Sequence, residues 1–377
     1  MTIVFFCNYL NHHQVHVADE LYALLNNQSS DQFYFVATLP PDPDSMKGGA
    51  DYTQRPYCIV ATASPEASSQ AMHLAQEADV CLFGACSQQY ATARAKTGKL
   101  SFEIAERWLK RGWINILSPH LLRWRLNYHR HYRKAPFYIL CASAYAAADL
   151  RALHAYEGRC FRWGYFTKAL SHTPQHDSGN SIPQIMWCSR FISWKHPELM
   201  IKAAKLLKDS QYSFHLTMYG DGPEKAKTEM LAKEYDLCDV VSFPGTIPNE
   251  QVQQQMRESD IFVLSSDKNE GWGVVINESM GNGCCTVSSN EAGAVPFIIE
   301  HGKNGMAFES KSFVDLYENL RYLLDHPTER NAMSTNAMEY IHDTWNAHKA
   351  ALSLLELIDC ITNNHDISKI QGICCAL

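Results

Sequence analysis

The decisive stretch reads Ile261-Phe262-Val263-Leu264-Ser265-Ser266-Asp267-Lys268-Asn269-Glu270-Gly271-Trp272-Gly273-Val274-Val275-Ile276-Asn277-Glu278. Four bulky apolar residues are too few for a helix and fit a strand buried on both faces. A polar turn with two glycines follows, and a helical pattern begins near Gly273. Strand, turn and helix in that order make half of a βαβ unit, whose sheet is parallel and covered by helices.

The unit repeats in both directions. Downstream and upstream, apolar runs at 184–188, 213–219, 240–243 and 285–288 read as strands, separated by helical patterns at 197–208, 223–235 and 249–258. Three more helical patterns follow residue 312, the last running from about 345 to 358. The first half shows the same alternation, with strands at 2–9, 32–38, 79–83, 99–104 and 137–142 and helices at 14–25 and 144–153. Between the halves, residues 167–181 lapse into polar residues and proline, which marks a junction. A chain of 377 residues also exceeds one ordinary core and suits two α/β domains.

Composition narrows the function. With 46% hydrophobic and 19% charged residues the chain is globular rather than disordered. No apolar run approaches the ~20 residues of a membrane span. Residue 1 leads straight into residues 2–6 without a basic start or cleavage site, so a cytoplasmic, unprocessed protein is expected. The 13 cysteines are odd in number, and Cys7, Cys81, Cys141 and Cys188 fall in strand-like runs, which predicts reduced thiols used as small core residues. A net charge of −7 argues against a nucleic-acid binder. Between Arg94 and Lys134, however, 11 Lys and Arg face only 2 acids, with Trp108, Trp113, Trp124, Tyr128 and Tyr132 among them. The plain reading is a solvated helical face; the sharper one is a surface, over residues 94–134, that makes a weak contact with anionic lipid or meets an anionic acceptor.

Ligands of open α/β sheets bind beyond the carboxyl ends of the strands. In the second half those positions hold Arg190 and Lys195, then Gly220-Asp221-Gly222-Pro223, then Pro244-Gly245, then Glu270-Gly271-Trp272-Gly273. Gly271 and Gly273 allow close approach of the backbone, and the free N–H groups of a helix starting there form a natural phosphate site. Arg190 and Lys195 supply the formal charge a diphosphate needs. Glu278 lies five residues into the helix, about 7–8 Å from its start, a distance that suits a ribose beside the diphosphate. Glu270 sits on the other side of the helix start, facing whatever lies beyond the diphosphate, where a hexose offers hydroxyls. Ordinary surface charges and turn glycines are the plainer alternative.

These residues resemble the nucleotide-sugar domain of the glycosyltransferase family 4 enzymes, retaining transferases of the GT-B fold with two Rossmann-like, doubly wound domains facing across a cleft. The resemblance runs from about residue 184 to 305. It is carried by Arg190 with Lys195, Gly220-Asp221-Gly222-Pro223, Val241-Ser242-Phe243-Pro244-Gly245, and Glu270 with Glu278. It implies that Arg190 and Lys195 hold the diphosphate, that Glu270 touches the donor sugar and that Glu278 binds the ribose. The backbone of Gly271, Trp272, Gly273, Val274 and Val275 then meets sugar and phosphate, with Gly220, Asp221, Gly222 and Gly245 completing the donor side.

The first half departs from that pattern. Where many members carry paired glycines after the first strand, this chain reads Tyr9-Leu10-Asn11-His12-His13-Gln14, and where many carry a histidine after a middle strand, Glu103 or Glu106 stands. Asn11-His12-His13-Gln14, Glu106-Arg107 and Leu140-Cys141-Ala142-Ser143-Ala144-Tyr145 resemble a bacterial branch associated with surface polysaccharides. Asn11, His12, His13 and Arg107 are therefore expected on the acceptor side, with Glu103 or Glu106 as its acid. The organisation implied is an acceptor domain over 1–166, a linker at 167–183, a nucleotide-sugar domain over 184–344, and a C-terminal helix with its tail at 345–377 packing back on the first domain.

The expected activity is metal-independent, retaining hexosyl transfer from a nucleotide-diphosphate sugar to a glycan or lipid-linked glycan, with no cofactor and no nucleic acid. Two alternatives stay open: a nucleotide-sugar epimerase of the same fold, and a non-catalytic nucleotide-sugar-binding protein. Other signals are weaker. Asp42-Pro43-Asp44 has the form of a metal-binding pair but reads as a polar turn. His129 and His131 lie among arginines that repel a cation. No Gly-x-Gly-x-x-Gly follows the first strand, which speaks against NAD, and the terminal Cys374-Cys375-Ala376-Leu377 lacks an aliphatic second position for prenylation.

Overall fold

Seven parallel strands build the first sheet: β1 (Thr2–Cys7), β2 (Gln32–Ala37), β3 (Cys58–Val60), β4 (Val80–Phe83), β5 (Ser101–Ala105), β6 (Phe137–Cys141) and β7 (Cys160–Arg162). Their order is β3-β2-β1-β4-β5-β6-β7. The second sheet contains β8 (Gln184–Cys188), β9 (His215–Tyr219), β10 (Val241–Gly245), β11 (Ile261–Leu264), β12 (Cys285–Ser289) and β13 (Met306–Phe308), in the order β10-β9-β8-β11-β12-β13. It too is wholly parallel. This computed structural model describes residues 1–26, 30–40, 51–110, 112–167 and 182–377, with the side chains of residues 113 and 114 left aside. The chain divides into two compact units, Met1–Lys168 with Asn346–Leu377, and Ala169–Trp345.

Burial on both faces explains the apolar runs. In the first sheet Val4, Phe6, Cys81, Phe83, Phe137 and Ile139 are buried together, and the rings of Phe6 and Phe83 lie 5.3 Å apart. In the second, Ile185, Trp187, Leu216, Met218, Ile261, Val263, Cys285 and Val287 form the corresponding core. Helix starts follow capping chemistry. Ser64, Ser118 and Ser312 each accept a hydrogen bond from an N–H of the first turn, satisfying a donor the helix cannot. Asn346 does the same for helix Ala347–Thr362 at the point where the chain passes from the second unit to the first.

That helix packs on Val15–Asn26, and His348 Nδ1 lies 2.8 Å from Glu20 Oε2. The last residues then pair antiparallel with β7: Cys374 N donates to Arg162 O, Arg162 N to Cys375 O and Leu377 N to Cys160 O. The tail thereby closes an otherwise open sheet edge. It also buries Cys374 completely.

Three expectations need correction. The strands β3, β7 and β13 were absent from the sequence pattern; each is three residues long and sits at an edge, too short to show a period. All 13 cysteines are free, yet Cys188 is only half-buried and lies in the wall of the site described below rather than in the core. The basic segment 94–134 is not one solvated surface. Arg94 is wholly buried and donates to Ser101 Oγ and to the carbonyls of Ala75, Ala78, Asp79 and Leu100. Trp124, Tyr128 and Tyr132 are core residues, while Leu117, Leu122 and Leu126 stand exposed beside Arg123, Arg130, Arg133 and Lys134. Asp42-Pro43-Asp44 and most of the 167–183 linker lie outside the described residues.

Candidate functional site

Each sheet reverses its winding once, between β1 and β4 in the first unit and between β8 and β11 in the second. At such a point two neighbouring loops diverge and leave a crevice. In the second unit the diverging loops are those carrying Arg190 with Lys195 after β8 and Glu270 after β11. They meet there: Lys195 Nζ and a Glu270 carboxylate oxygen form an ion pair whose side chains are 11% and 15% exposed. Arg190 is exposed, its guanidinium 5.7 Å from the centre of the Trp194 ring.

The turn Gly220-Asp221-Gly222 closes against the same loop, with Phe191 N donating to Asp221 O and Gly220 N to Gly245 O. Gly220 has φ +125°, and a Cβ there would stand 1.9 Å from the Ser189 carbonyl oxygen, so no other residue fits without moving the loop. Gly273, at φ +93°, starts helix Val274–Gly281, whose first turn no side chain caps. A Cβ on Gly273 would crowd Leu264 at 3.0 Å and the Glu270 side chain at 3.4 Å. The Trp272 indole is buried, donates to Asn277 Oδ1 and stacks on Trp345 at 5.7 Å, which leaves only the backbone of this residue to a ligand.

Glu278 is enclosed, and burial pushes its carboxyl up to about 7, against the opposing effect of a hydrogen bond from Gln253. Its neighbour Cys188 is raised to about 12 by burial and by the Glu278 charge. An enclosed carboxyl without a cation suits neutral hydroxyl donors better than another charge.

Sequence reasoning missed the residues that hold these loops together. His196 adopts a left-handed backbone, φ 47°, directly after Lys195. One ring nitrogen lies 3.0 Å from Glu198 Oε1 and the other 3.2 Å from Asp267 Oδ2. Asp267 also accepts from Asn269, faces Lys311 at 3.4 Å and donates its own N–H to Trp194 O. Ser265 Oγ donates to Lys195 O and accepts from Trp187 Nε1. A positive φ outside glycine was the available signal, but sequence does not display it.

In the first unit a cavity of about 550 Å³ opens at the β1/β4 reversal. It gathers His13, Glu103, Glu106 and Arg107, together with Gln14 and Trp108. Asn11 instead shapes the loop, its side chain accepting from His13 N and its carbonyl from Gln14 N and Val15 N. The His12 and His13 rings meet at a tilt of 47° with their centres 3.8 Å apart. Burial, then the neighbouring His12 and His16, lowers His13 to about 3, so its ring is neutral. Glu103 is raised to about 7 by burial, with a Tyr156 hydroxyl at 3.5 Å. Glu106 accepts from Tyr165 Oη at 2.9 Å and pairs with Lys110 at 3.3 Å. Arg107 lies 4.4 Å over the Tyr145 ring and 3.7 Å from Asp149, which accepts from the N–H groups of Trp108 and Leu109. Four buried polar atoms of the cavity residues make no hydrogen bond within the protein: His13 Nδ1, Gln14 Oε1, Trp108 Nε1 and Arg107 Nε, the last facing Asp149 at ion-pair distance only. Among the described residues no group of three or more His, Cys, Asp or Glu is placed to hold a metal ion.

Residues 173–340, within the second unit, match the family model described as Glycosyl transferases group 1. WcaL of Salmonella typhimurium, named for colanic acid biosynthesis, is 27% identical over 180 residues, 46% of this chain and 44% of the relative. The chain thus aligns with under half the length of that relative. A glycosyltransferase structure from Rickettsia africae is 14% identical and covers 96% of this chain and 99% of its own, with a TM-score of 0.70. HepE from Anabaena, solved with UDP, is 15% identical over 95% of this chain and 100% of its own, with a TM-score of 0.68. Both likenesses place the two Rossmann-like units in the GT-B fold.

Proposed function

We propose that the protein moves a hexose from a nucleoside-diphosphate sugar to a hydroxyl of a glycan or lipid-linked glycan, with retention at the anomeric carbon, during assembly of a bacterial surface polysaccharide. The observation that carries this reading is the convergence of Arg190, Lys195, two glycine turns, Glu270 and Glu278 at the winding reversal of a group 1 domain. The colanic acid assignment of a relative supports the polysaccharide setting. Nothing in the relatives' names favours an epimerase.

In this scheme the bond between the anomeric carbon and the diphosphate breaks, and its electron pair leaves on a phosphate oxygen. Arg190, Lys195 and the uncapped helix start at Gly273 stabilise that charge, with no metal required. The acceptor oxygen bonds to the same face of the anomeric carbon and its proton passes to the departing phosphate. Glu270 orients the sugar, whose developing positive charge a carboxylate favours. The acceptor sugar binds the cavity of the first unit. There the Trp108 and Arg107 N–H groups that make no hydrogen bond within the protein, an amide oxygen and a neutral imidazole share the lining with aromatic rings, which suits an uncharged, hydroxyl-bearing ring.

The exposed Leu117, Leu122 and Leu126 with their flanking cations suit a membrane bearing the lipid-linked acceptor. Co-sedimentation should favour anionic over neutral vesicles at low salt, and equal sedimentation returns these residues to a solvated surface. The primary test screens UDP-, GDP-, ADP- and dTDP-sugars for donor hydrolysis and binding. Arg190→Ala and Lys195→Ala should each weaken binding of the active donor by about 10–150-fold, the weight of one charge-assisted hydrogen bond. Unaltered binding in both variants and the double would place the phosphates elsewhere.

A further inference from the structure

We propose that His196 is a positioning residue of the donor site: as an imidazolium held between Glu198 and Asp267, it locks the Lys195 turn to the Glu270 turn and makes nucleotide capture depend on pH. The proposal rests on the reading that Lys195 and Glu270 belong to the donor site. Both ring nitrogens of His196 face carboxylate oxygens, at 3.0 and 3.2 Å. A neutral imidazole has one donor and one acceptor, so it would set a lone pair against one of these carboxylates; only the cation satisfies both.

The position gives that cation its effect. Lys195 immediately precedes His196, and besides the Lys195–Glu270 ion pair three hydrogen bonds join this turn to the loop after β11: Ser265 Oγ to Lys195 O, Asp267 N to Trp194 O, and His196 to Asp267. Of these three, only the bond through His196 is switched by a proton near neutral pH. Glu270 N in turn donates to Asp267 O, so the residue that holds His196 also anchors the backbone of Glu270.

The charges around the ring are Glu198 from helix Pro197–Asp209, Asp267 from the loop after β11, and Lys311, which faces Asp267 from the loop after β13. Lys202, one turn along the helix, interacts with Glu198. The bond to Glu198, opposed by burial and helped by Asp267, raises the imidazole above its ordinary 6.5. The lock is therefore complete below about 6.5 and is released as pH rises through the raised value.

The test compares wild type with His196→Asn, because asparagine tolerates the left-handed backbone and adds no strain. Calorimetric dissociation constants are taken from pH 5.5 to 9 for whichever of UDP, GDP, ADP and dTDP binds tightest. Glu278 and the nucleotide's own phosphate titrate equally in both proteins, so the ratio of the two constants isolates His196. That ratio should be about 5–10 near pH 6 and fall to within about 2 by pH 9. Glu198→Gln, at a more exposed position, should reproduce part of the same pH-dependent loss. A ratio constant across pH marks ordinary packing and overturns the proposal, as does a ratio near 1 throughout. Arg190→Ala is measured alongside: if no diphosphate binds, or if this variant binds as wild type does, the donor-site reading itself has failed and His196 falls with it.

Discussion

Glu270→Gln should weaken folding and strengthen diphosphate capture in one step. Without a ligand, Lys195 and Glu270 neutralise each other with little solvent access, at 11% and 15% exposure. Removing one partner of a fully buried pair costs about 3–5 kcal/mol, whereas an exposed pair contributes about 0–1 kcal/mol. At this depth, with an amide still able to accept one hydrogen bond, a loss of about 1–3 kcal/mol is expected. For a unit of this size each kcal/mol moves the melting temperature by about 2–4 °C, so the variant should melt roughly 2–12 °C low. The same substitution leaves Lys195 without a competing carboxylate and removes a negative charge near the phosphates. Affinity for the free nucleoside diphosphate should then rise about 5–20-fold, or about 1–2 kcal/mol. Turnover should move the other way, with kcat lower by about 10²–10³-fold, because the sugar loses the carboxylate that opposes its developing charge. Melting curves with and without nucleotide, calorimetry and steady-state kinetics read the three effects separately. A variant that melts like wild type and binds the diphosphate no tighter refutes the pairing, and one that retains kcat refutes the contact with the reacting sugar.

Arg94→Met should destabilise the first unit by about 3–5 kcal/mol in urea unfolding, since four buried carbonyls and a hydroxyl lose their donor; a cost under about 1 kcal/mol contradicts that role. Burial holds the Glu278 carboxyl near 7 against 4.5 when unfolded, so ionising it penalises the folded state. The penalty is absent below 4.5, grows between 4.5 and about 7, and is constant above. Glu278→Gln lacks it and should gain about 1–3 kcal/mol on wild type across that window while raising the donor KM, whereas a pH-independent difference argues against the burial account. Finally, sugar transfer should persist in excess EDTA; complete loss restored by Mg²⁺ or Mn²⁺ would assign the phosphate charge to a metal instead.

The sequence by itself reveals the central strands and the residues at their carboxyl ends. A strand buried on both faces must be apolar throughout, and the turn after it must be polar or glycine-bearing, so β1, β8 and β11 and the residues after them are legible without coordinates. It reveals less at the margins, where β3, β7 and β13 are defined by hydrogen bonds to a neighbour rather than by any period of their own. Partnership is what only the tertiary structure decided. Arg94 reads as one more cation in a basic segment, yet it caps carbonyls in the interior. The sequence points to the backbone of Trp272 but says nothing of its ring, which stacks on Trp345. His196 and Asp267 carry no motif, because their roles arise from loops that are 71 residues apart in sequence and meet at the sheet reversal. Periodicity records which way a side chain faces along its own element; which charge it meets there depends on the order in which strands are laid into the sheet, and no local pattern encodes that order.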